Sequence, residues 1–152
     1  MKEKTHSVSY KSYTNEDLPN NYAELIAKAK KASEVAYAPY SKFHVGASIL
    51  LENGDILVAN NQENAAFPSG LCAERVVLFY KGANFPEETI KAMAIYAPSQ
   101  QLVSPCGSCR QVMVESEKRN KNSIKLIISS NNDEVIEFQS FSDILPFPFV
   151  EF

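Results

Sequence analysis

The sequence lacks several features that would place the chain in a special class of protein. It contains no run of eighteen apolar residues, which argues against a membrane-spanning helix. Its first residues, MKEKTHSVSYKSYTNEDLPNN, have no apolar core of the kind that a signal peptide carries. Its 3 cysteines are an odd number and a poor basis for a disulfide framework. These absences predict a cytoplasmic protein, in which cysteines are more often ligands or nucleophiles.

The charge of the chain argues against a nucleic-acid partner. The formal net charge is -3 at pH 7, and lysine and arginine do not gather into a basic stripe. Electrostatic capture of a phosphate backbone is therefore not expected. With 152 residues and 45% hydrophobic content, the chain has the size and composition of one globular domain with a sizeable core.

The pattern of apolar and turn residues in the first half predicts an extension, a helix and a hairpin. Residues 1–19 are expected to form a loosely ordered extension, and residues 20–152 a single folded domain. A helical pattern begins at Asn21 and is expected to end before Pro39. Two β-rich runs follow on either side of Asn53-Gly54, which is a strong hairpin signal.

The second half predicts alternating helices and strands. The predicted elements are a helix from Cys72 to Lys81 that ends at Gly82, a strand at 91–97, a helix at 106–120, strands at 124–130 and 134–139, and a helical turn at 141–145. Three residues separate the last two strands, too few for a parallel crossover, so these strands should pair antiparallel. The expected fold class is α/β, with a mixed five-stranded sheet and helices on both faces.

Three cysteines stand at the starts of two predicted helices. Cys72 begins Cys-Ala-Glu-Arg, and Cys106 and Cys109 lie in Pro-Cys-Gly-Ser-Cys-Arg-Gln. A helix N-terminus stabilises thiolates, and two cysteines three residues apart face the same way. Cys72 can supply a third thiolate, and neither histidine lies in a motif. The sequence therefore predicts a zinc site with an open fourth position, which is the mark of a catalytic zinc.

Glu74 is the predicted proton carrier because it lies two residues from Cys72. Zinc lowers the pKa of a bound water to about 7, and a nearby carboxylate can take its proton. Positions i and i+2 of a helix point about 200° apart, so Cys72 must precede the regular helix if both groups are to serve one zinc. Gly70, just upstream, is compatible with such an irregular start.

Four blocks of the sequence resemble the small, zinc-dependent, homotetrameric cytidine deaminases. They are YAPYSKFHVGASIL, NQENAAFPSGLCAER, PCGSCRQV and ILPFPF, spread over residues 20–150. The resemblance implies the three-layer fold of that family and hydrolytic deamination of cytidine, deoxycytidine or both, with release of ammonia, in pyrimidine salvage. It also implies a zinc cofactor, a free nucleoside as substrate, and a homotetramer whose sites are completed across subunits. No membrane or nucleic-acid partner is expected.

The resemblance implies roles for the residues around the metal. Cys72, Cys106 and Cys109 would be the zinc ligands, and Glu74 the general acid and base. Three thiolates give Zn²⁺ a net charge of −1, which would make its bound water less acidic. Arg75 would offset this charge by donating hydrogen bonds to the thiolates.

The resemblance also implies the residues that bind the nucleoside. Asn61 and Glu63 would hydrogen-bond the 3′ hydroxyl of the sugar, and Phe43 would pack against the pyrimidine. Ala73 would offer backbone groups to the base. Phe149 would reach into the site of a neighbouring subunit, although Phe147 could take this place.

Other functions remain open from the sequence. A non-catalytic protein with a structural zinc would need a fourth ligand to close the site. A nucleic-acid editor of the same superfamily would need a basic face and longer connections around the site. A deaminase of a cytosine-containing nucleoside antibiotic would differ in substrate alone, and only a kinetic comparison of substrates would identify it.

Overall fold

The computed structural model describes residues 1–14 and 16–150, which form three helices and six strands together with two short 3₁₀ helices. The helices are α1 (Asn20–Ser33), α2 (Ala73–Asn84) and α3 (Gly107–Asn120). The strands are β1 (Lys11–Tyr13), β2 (Gly46–Leu51), β3 (Ile56–Asn60), β4 (Ile90–Tyr96), β5 (Lys125–Ser129) and β6 (Val135–Phe138). The 3₁₀ helices span Phe67–Ser69 and Phe141–Ile144. None of the helices described here is both long enough and apolar enough to cross a membrane.

The strands form one mixed sheet in the order β1-β6-β5-β4-β2-β3. The central strands β4 and β5 are parallel, and α3 makes the crossover between them. All the other neighbouring strands are antiparallel, including the predicted β2–β3 hairpin and the predicted β5–β6 pair. Gly54, in the hairpin turn, has a φ of 93°, a conformation that favours glycine.

The prediction of five strands was wrong, because part of the expected extension forms a sixth. β1 pairs antiparallel with β6 at the edge of the sheet. Its docking is supported by Glu137 on β6, a residue only 1% exposed. The Tyr13 hydroxyl donates a hydrogen bond to the Glu137 carboxylate at 2.8 Å, and the Lys11 ammonium lies 3.9 Å from the same carboxylate. Lys-Ser-Tyr has no alternation of apolar and polar residues, so its sequence gives no strand signal.

Two predicted helix boundaries were also wrong. α1 ends at Ser33 rather than before Pro39, because the backbone of Tyr37 pairs with a distant segment. The Tyr37 N–H donates to the carbonyl of Asn61 at 3.1 Å, and the Tyr37 carbonyl accepts from the N–H of Glu63 at 2.8 Å. α2 continues past Gly82 to Asn84, since Gly82 has an ordinary helical backbone rather than a positive φ.

The helices cover both faces of the sheet, as predicted. Alternate residues of a strand point to opposite faces. Met93 and Ile95 on β4 pack with residues of α2 and α3, whereas Ala92 and Ala94 pack with residues of α1. α1 approaches the sheet closely at Gly46, where an added Cβ atom would lie 1.8 Å from the carbonyl oxygen of Ala29. α2 and α3 therefore share one face, and their N-termini carry the cysteine motifs.

Candidate metal centre and active site

Cys72 and Cys106 occupy the same position in their two helices. Each is the residue that precedes the first helical turn, with backbone angles of −71° and 154° for Cys72 and −66° and 166° for Cys106. Each carbonyl accepts the first hydrogen bond of its helix, from the N–H of Arg75 and of Arg110, both at 3.0 Å. Cys72 therefore lies outside the regular helix, which is the condition that the sequence set for Cys72 and Glu74 to act together.

The segment before Cys72 is hydrogen-bonded to the residues that follow β3. The backbones of Gln62 and Leu71 exchange two hydrogen bonds, both at 2.9 Å. Leu71 immediately precedes Cys72, so this bridge sets where α2 begins. The long connection between β3 and α2 is thus held at both of its ends.

The structure brings together the sulfur atoms of Cys72, Cys106 and Cys109. All three lie within 4.8 Å of one another, and those of Cys106 and Cys109 are 3.4 Å apart. A tetrahedral zinc with Zn–S bonds of about 2.3 Å needs sulfurs roughly 3.8 Å apart. The spacing therefore fits a zinc ion with only small shifts. In the part of the chain that the structure describes, this is the only such group of three or more potential ligands.

Negative charge in the cluster is concentrated on Cys72. A hydrogen bond from the Cys109 thiol and, to a smaller extent, the Arg75 guanidinium outweigh burial and together lower the pKa of Cys72 to about 5. The pKa of Cys109 is raised because its thiol donates to Cys72 and because it is buried. Arg75 Nη2 lies 3.8 Å from the sulfur of Cys72 and 3.4 Å from the carbonyl oxygen of Gly70.

Arg75 has donor capacity to spare beside the sulfurs. Its Nε is buried and has no hydrogen-bond partner within residues 1–14 and 16–150. A buried N–H without a partner is costly unless a further acceptor is present. When three thiolates are ionised around a metal, the site carries more negative charge than Cys72 alone supplies. The unused Nε–H of Arg75 can donate a hydrogen bond to that added charge.

Glu74 is a buried carboxyl group next to the cysteine cluster. It is 5% exposed, and burial raises its pKa above the usual value. The negative charge of Cys72 raises the pKa of Glu74 further, and hydrogen bonds offset only part of the increase. A carboxyl group whose pKa moves towards neutrality is suited to both giving and taking protons.

Asn61 holds the loop that carries Phe43. Its Oδ1 accepts from the N–H of Val45 at 2.7 Å, and its Nδ2 donates to the carbonyl of Phe43 at 2.9 Å. Phe43 itself is half-buried. The side chain predicted to contact the sugar therefore also fixes the backbone on either side of the residue predicted to contact the base.

Glu63 binds the other end of the same loop. Its Oε2 accepts from the N–H of Tyr40 at 2.9 Å and from the N–H of Ser41 at 3.3 Å. The Ser41 hydroxyl is the main reason that the pKa of Glu63 is lowered, with these two N–H groups contributing in the same direction. Glu63 thus stays ionised, and it steadies a turn in which Lys42 has a φ of 59°.

The predicted C-terminal aromatics lie along α3 of their own chain. The Gln111 side chain accepts a hydrogen bond from the N–H of Phe149 at 3.1 Å and donates another to its carbonyl. The rings nevertheless remain open to solvent, with exposed fractions of 62% for Phe149 and 90% for Phe147. The backbone of Phe149 is anchored, and the Phe147 ring lies 6.5 Å from the ring of His6.

Arg110 and Glu117, both on α3, were not predicted from the sequence. Arg110 makes three hydrogen bonds around the Cys106 loop, and Glu117 accepts hydrogen bonds from two separate segments. The position of Arg110 directly after Cys109 was the available signal. Glu117 gave none, because a glutamate in a helix usually lies at the surface.

Two cavities, of about 190 and 290 Å³, lie between α2 and α3. Both are lined by Leu78, Gly82, Ser116 and Arg119, and none of the three cysteines borders either cavity. These cavities therefore open on the face shared by the two helices, away from the residues that form the metal centre.

Comparison with known proteins gives a consistent family. The model of the cytidine and deoxycytidylate deaminase zinc-binding region matches residues 19–123. A cytidine deaminase of Sporosarcina psychrophila is 49% identical over 92 residues, which are 60% of this chain and 67% of that relative. A cytidine deaminase of Halalkalibacterium halodurans is 44% identical over 91 residues, which are 60% of this chain and 68% of that relative.

A solved structure supports the same grouping. The crystal structure of a cytidine deaminase from Burkholderia pseudomallei matches with a TM-score of 0.75 and 34% identity, over 84% of this chain and 98% of that one. The cytidine deaminase structure from Mycobacterium tuberculosis matches with a TM-score of 0.68 and 26% identity, over 88% of this chain and 100% of that one. With its three clustered cysteines and this three-layer fold, the chain belongs to the family of cytidine and deoxycytidylate deaminases that share this zinc-binding region.

Proposed function

We propose that this protein catalyses the hydrolytic deamination of cytidine, deoxycytidine or both to the corresponding uridine, with release of ammonia. The observation that carries this proposal is the convergence of three cysteine sulfurs beside a buried glutamate. The family match and the cytidine deaminases at 49% and 44% identity support the choice of substrate. A reducing cytoplasm would keep the three thiols available, and we propose that the enzyme acts there in pyrimidine salvage.

Cys72, Cys106 and Cys109 are the proposed ligands of a zinc ion. When bound at such a site, zinc supplies a water that is acidic near neutral pH. Three thiolates outweigh the charge of the ion, and Arg75 offsets part of this excess because its guanidinium lies beside the Cys72 sulfur. The spare Nε donor of Arg75 adds to the same effect.

Glu74 is the proposed carrier of protons. Deamination requires that hydroxide be added at C4 of the pyrimidine and that N3 be protonated. The carboxylate of Glu74 takes a proton from the attacking water and delivers it to N3. It then takes the proton of the hydroxyl now on C4 and passes it to the exocyclic amine, which leaves as ammonia while the C4=O bond forms. One group can serve both steps because burial raises the pKa of Glu74, which makes its acid form easier to reach than that of an exposed carboxylate.

Asn61, Glu63, Phe43 and Ala73 are the proposed nucleoside-binding residues. The first two stabilise the loop that presents Phe43, so the binding site is ordered before substrate arrives. We propose that their remaining hydrogen-bonding capacity reads the 3′ hydroxyl of the sugar. Phe43 packs on the pyrimidine, and the backbone of Ala73, at the start of α2, contacts the base.

We further propose that the active unit is a homotetramer in which Phe149 completes the site of a neighbour. The support is the exposure of Phe149 and Phe147 on an anchored backbone. Sedimentation tests assembly, and a monomer active at nanomolar concentration would contradict it. Mixing Glu74→Gln chains with chains that lack residues 147–152 tests the shared site. Some activity should return on mixing, whereas no recovery would mean that each site is built within one chain.

The activity itself is tested by following the ultraviolet absorbance of cytidine, deoxycytidine and a cytosine-containing nucleoside antibiotic with the purified protein. Elemental analysis should find one zinc per chain, and Cys106→Ala should lose most of it. Glu74→Gln keeps the shape of the side chain but not its proton transfer, so activity should fall by about 10⁴-fold or more with zinc retained. Glu74→Gln activity within tenfold of the wild type would contradict the assigned role.

A further inference from the structure

Arg110 joins three separate parts of the chain around the cysteine cluster. Its Nε donates to the carbonyl of Pro105 at 2.7 Å, and its Nη2 donates to the hydroxyl of Ser104 at 2.7 Å. Its Nη1 donates to the carbonyl of Ile144 at 3.3 Å. Pro105 immediately precedes Cys106, and Arg110 immediately follows Cys109. One guanidinium therefore ties the loop before one cysteine to the helical turn that carries the other.

A hydrogen bond to the Pro105 carbonyl can restrain the backbone next to Cys106. Proline has no N–H, so its carbonyl is the only backbone group through which a hydrogen bond can anchor this residue. Cys106 is exposed and lies before the regular part of α3, so the helix alone does not restrain its side chain. The contact from Arg110 supplies a restraint one residue away.

Ile144 adds a link to the C-terminal segment. It is the last residue of the second 3₁₀ helix, from which the chain turns back along α3. Gln111 then binds the backbone of Phe149, and the ammonium of Lys118 donates to the carbonyl of Val150. Residues of α3 thus hydrogen-bond to this segment at its beginning and near its end. Arg110 makes the contact at the beginning, and it also binds the loop before Cys106.

We propose that Arg110 is a positioning residue for the metal centre. It holds the backbone next to Cys106 so that this sulfur lies with those of Cys72 and Cys109, and it couples that arrangement to the start of the C-terminal segment. Its three hydrogen bonds go to oxygen atoms, so it acts through the loop rather than on the sulfurs. The catalytic consequence rests on the function proposed above, whereas the effect on metal retention does not.

This role differs from that of Arg75, and it depends on shape more than on charge. Arg75 lies beside the Cys72 sulfur, where its positive charge acts directly. Arg110 reaches three oxygens in different directions through its planar fork, which the ammonium of lysine does not reproduce. Arg110→Lys therefore keeps the charge and removes the proposed restraint.

The test uses the full-length, zinc-loaded protein and compares the wild type with Arg110→Lys and Arg119→Lys. Arg119 is a matched control on the same helix, since it is exposed and lines the two cavities that none of the three cysteines borders. Zinc transfer to an excess of a chromogenic chelator should be about 10-fold faster in Arg110→Lys, in line with the effect of losing residues that orient ligands. It should be unchanged in Arg119→Lys.

Two further readouts separate positioning from general stability. In the cobalt-substituted protein, the sulfur-to-metal absorption should shift in Arg110→Lys and not in the control. With cytidine, kcat should fall while KM changes by less than about threefold, because Arg110 is not among the proposed substrate contacts. Wild-type zinc release, spectrum and kcat in Arg110→Lys would overturn the proposal. So would zinc release that merely follows a lowered unfolding midpoint.

Ser104→Ala keeps the proposal testable if Arg110→Lys does not fold. It removes one acceptor of the guanidinium and should speed zinc release in the same direction by roughly two- to threefold, less than Arg110→Lys, because Ser104 is exposed and the two other hydrogen bonds remain. An unchanged release rate would count against the proposal. If the wild-type protein binds zinc but does not deaminate cytidine, the proposed function fails, and the zinc-release comparison still decides the role of Arg110.

Discussion

Glu117, on α3, is a buried carboxylate, 8% exposed, that accepts five hydrogen bonds. Its Oε1 accepts from the N–H groups of Ile124 and Phe141 at 2.8 and 2.9 Å. Its Oε2 accepts from the Ser142 N–H at 3.1 Å and from the hydroxyls of Ser140 and Ser142, both at 2.7 Å. Glu117 therefore joins α3, the start of β5 and the second 3₁₀ helix.

Replacing Glu117 by glutamine should destabilise the fold by about 1–3 kcal/mol. The amide oxygen can replace Oε1, but the amide NH₂ then faces the Ser142 N–H, which keeps only the Ser140 hydroxyl as acceptor, at 3.0 Å. The remaining hydrogen bonds lose the strength that an ionised acceptor gives, and this loss makes up most of the cost. The two serine hydroxyls can turn and accept from the amide, so they add little. For a chain of this length the melting temperature should fall by about 3–12 °C.

Urea titration at pH 7 followed by circular dichroism measures this cost. The zinc concentration must be equal in all samples, because a ligand that binds only the folded state adds to its stability. Glu115→Gln is the matched control, since Glu115 lies exposed on the same helix. A loss below about 0.5 kcal/mol in Glu117→Gln would refute this account, given the 1–3 kcal/mol expected when a buried, ionised acceptor of several hydrogen bonds is neutralised.

The pH dependence provides a second check on Glu117. Burial tends to raise its pKa, but the hydrogen bonds from Ile124, Ser140, Ser142 and Phe141 outweigh burial and lower it below 4.5. A lowered folded-state pKa means that the stabilisation is fully present above the unfolded value of 4.5 and is lost as the pH falls through the folded value. The stability difference between the wild type and Glu117→Gln should therefore shrink below pH 4.5. A difference that stays constant with pH would contradict the assignment.

Three further results are expected. Free cytosine should be a far poorer substrate than cytidine in kcat/KM, because without the sugar the polar groups of the proposed pocket are left unpaired; comparable values would contradict that pocket. Gly46→Ala should lower the free energy of unfolding by about 3 kcal/mol or more, since its Cβ would lie 1.8 Å from the Ala29 carbonyl oxygen. Gly107→Ala, where nothing lies within 4 Å, is the control, and equal losses would refute the reasoning. Burial, together with its hydrogen bond to the β6 carboxylate, raises the pKa of Tyr13 to about 12, so its stabilisation is present below pH 10.0 and lost as the pH rises through about 12. Tyr13→Phe should lack this alkaline loss in denaturation measurements, and identical pH profiles would argue against the contact.

The sequence by itself determined the features that depend on a few consecutive residues. Asn53-Gly54 predicted the hairpin, and three residues between the last two strands predicted their antiparallel pairing, both of which the structure confirms. The cysteines were predicted as one set because each motif lies where a loop becomes a helix, and the structure brings their sulfurs together. Local backbone geometry decides where a helix begins and which way its first side chains point. Short stretches of sequence are therefore enough to predict such features.

Only the tertiary structure decided the features that join residues far apart in the chain. β1 forms because its backbone pairs with that of β6, and α1 ends early because Tyr37 pairs with residues that lie beyond β3. The contact of Arg110 with Ile144 and the use of Asn61 to hold the Phe43 loop likewise link distant segments. A hydrogen bond between residues tens of positions apart leaves no periodic pattern in the sequence. Its formation depends on where the packed sheet and helices place the two partners.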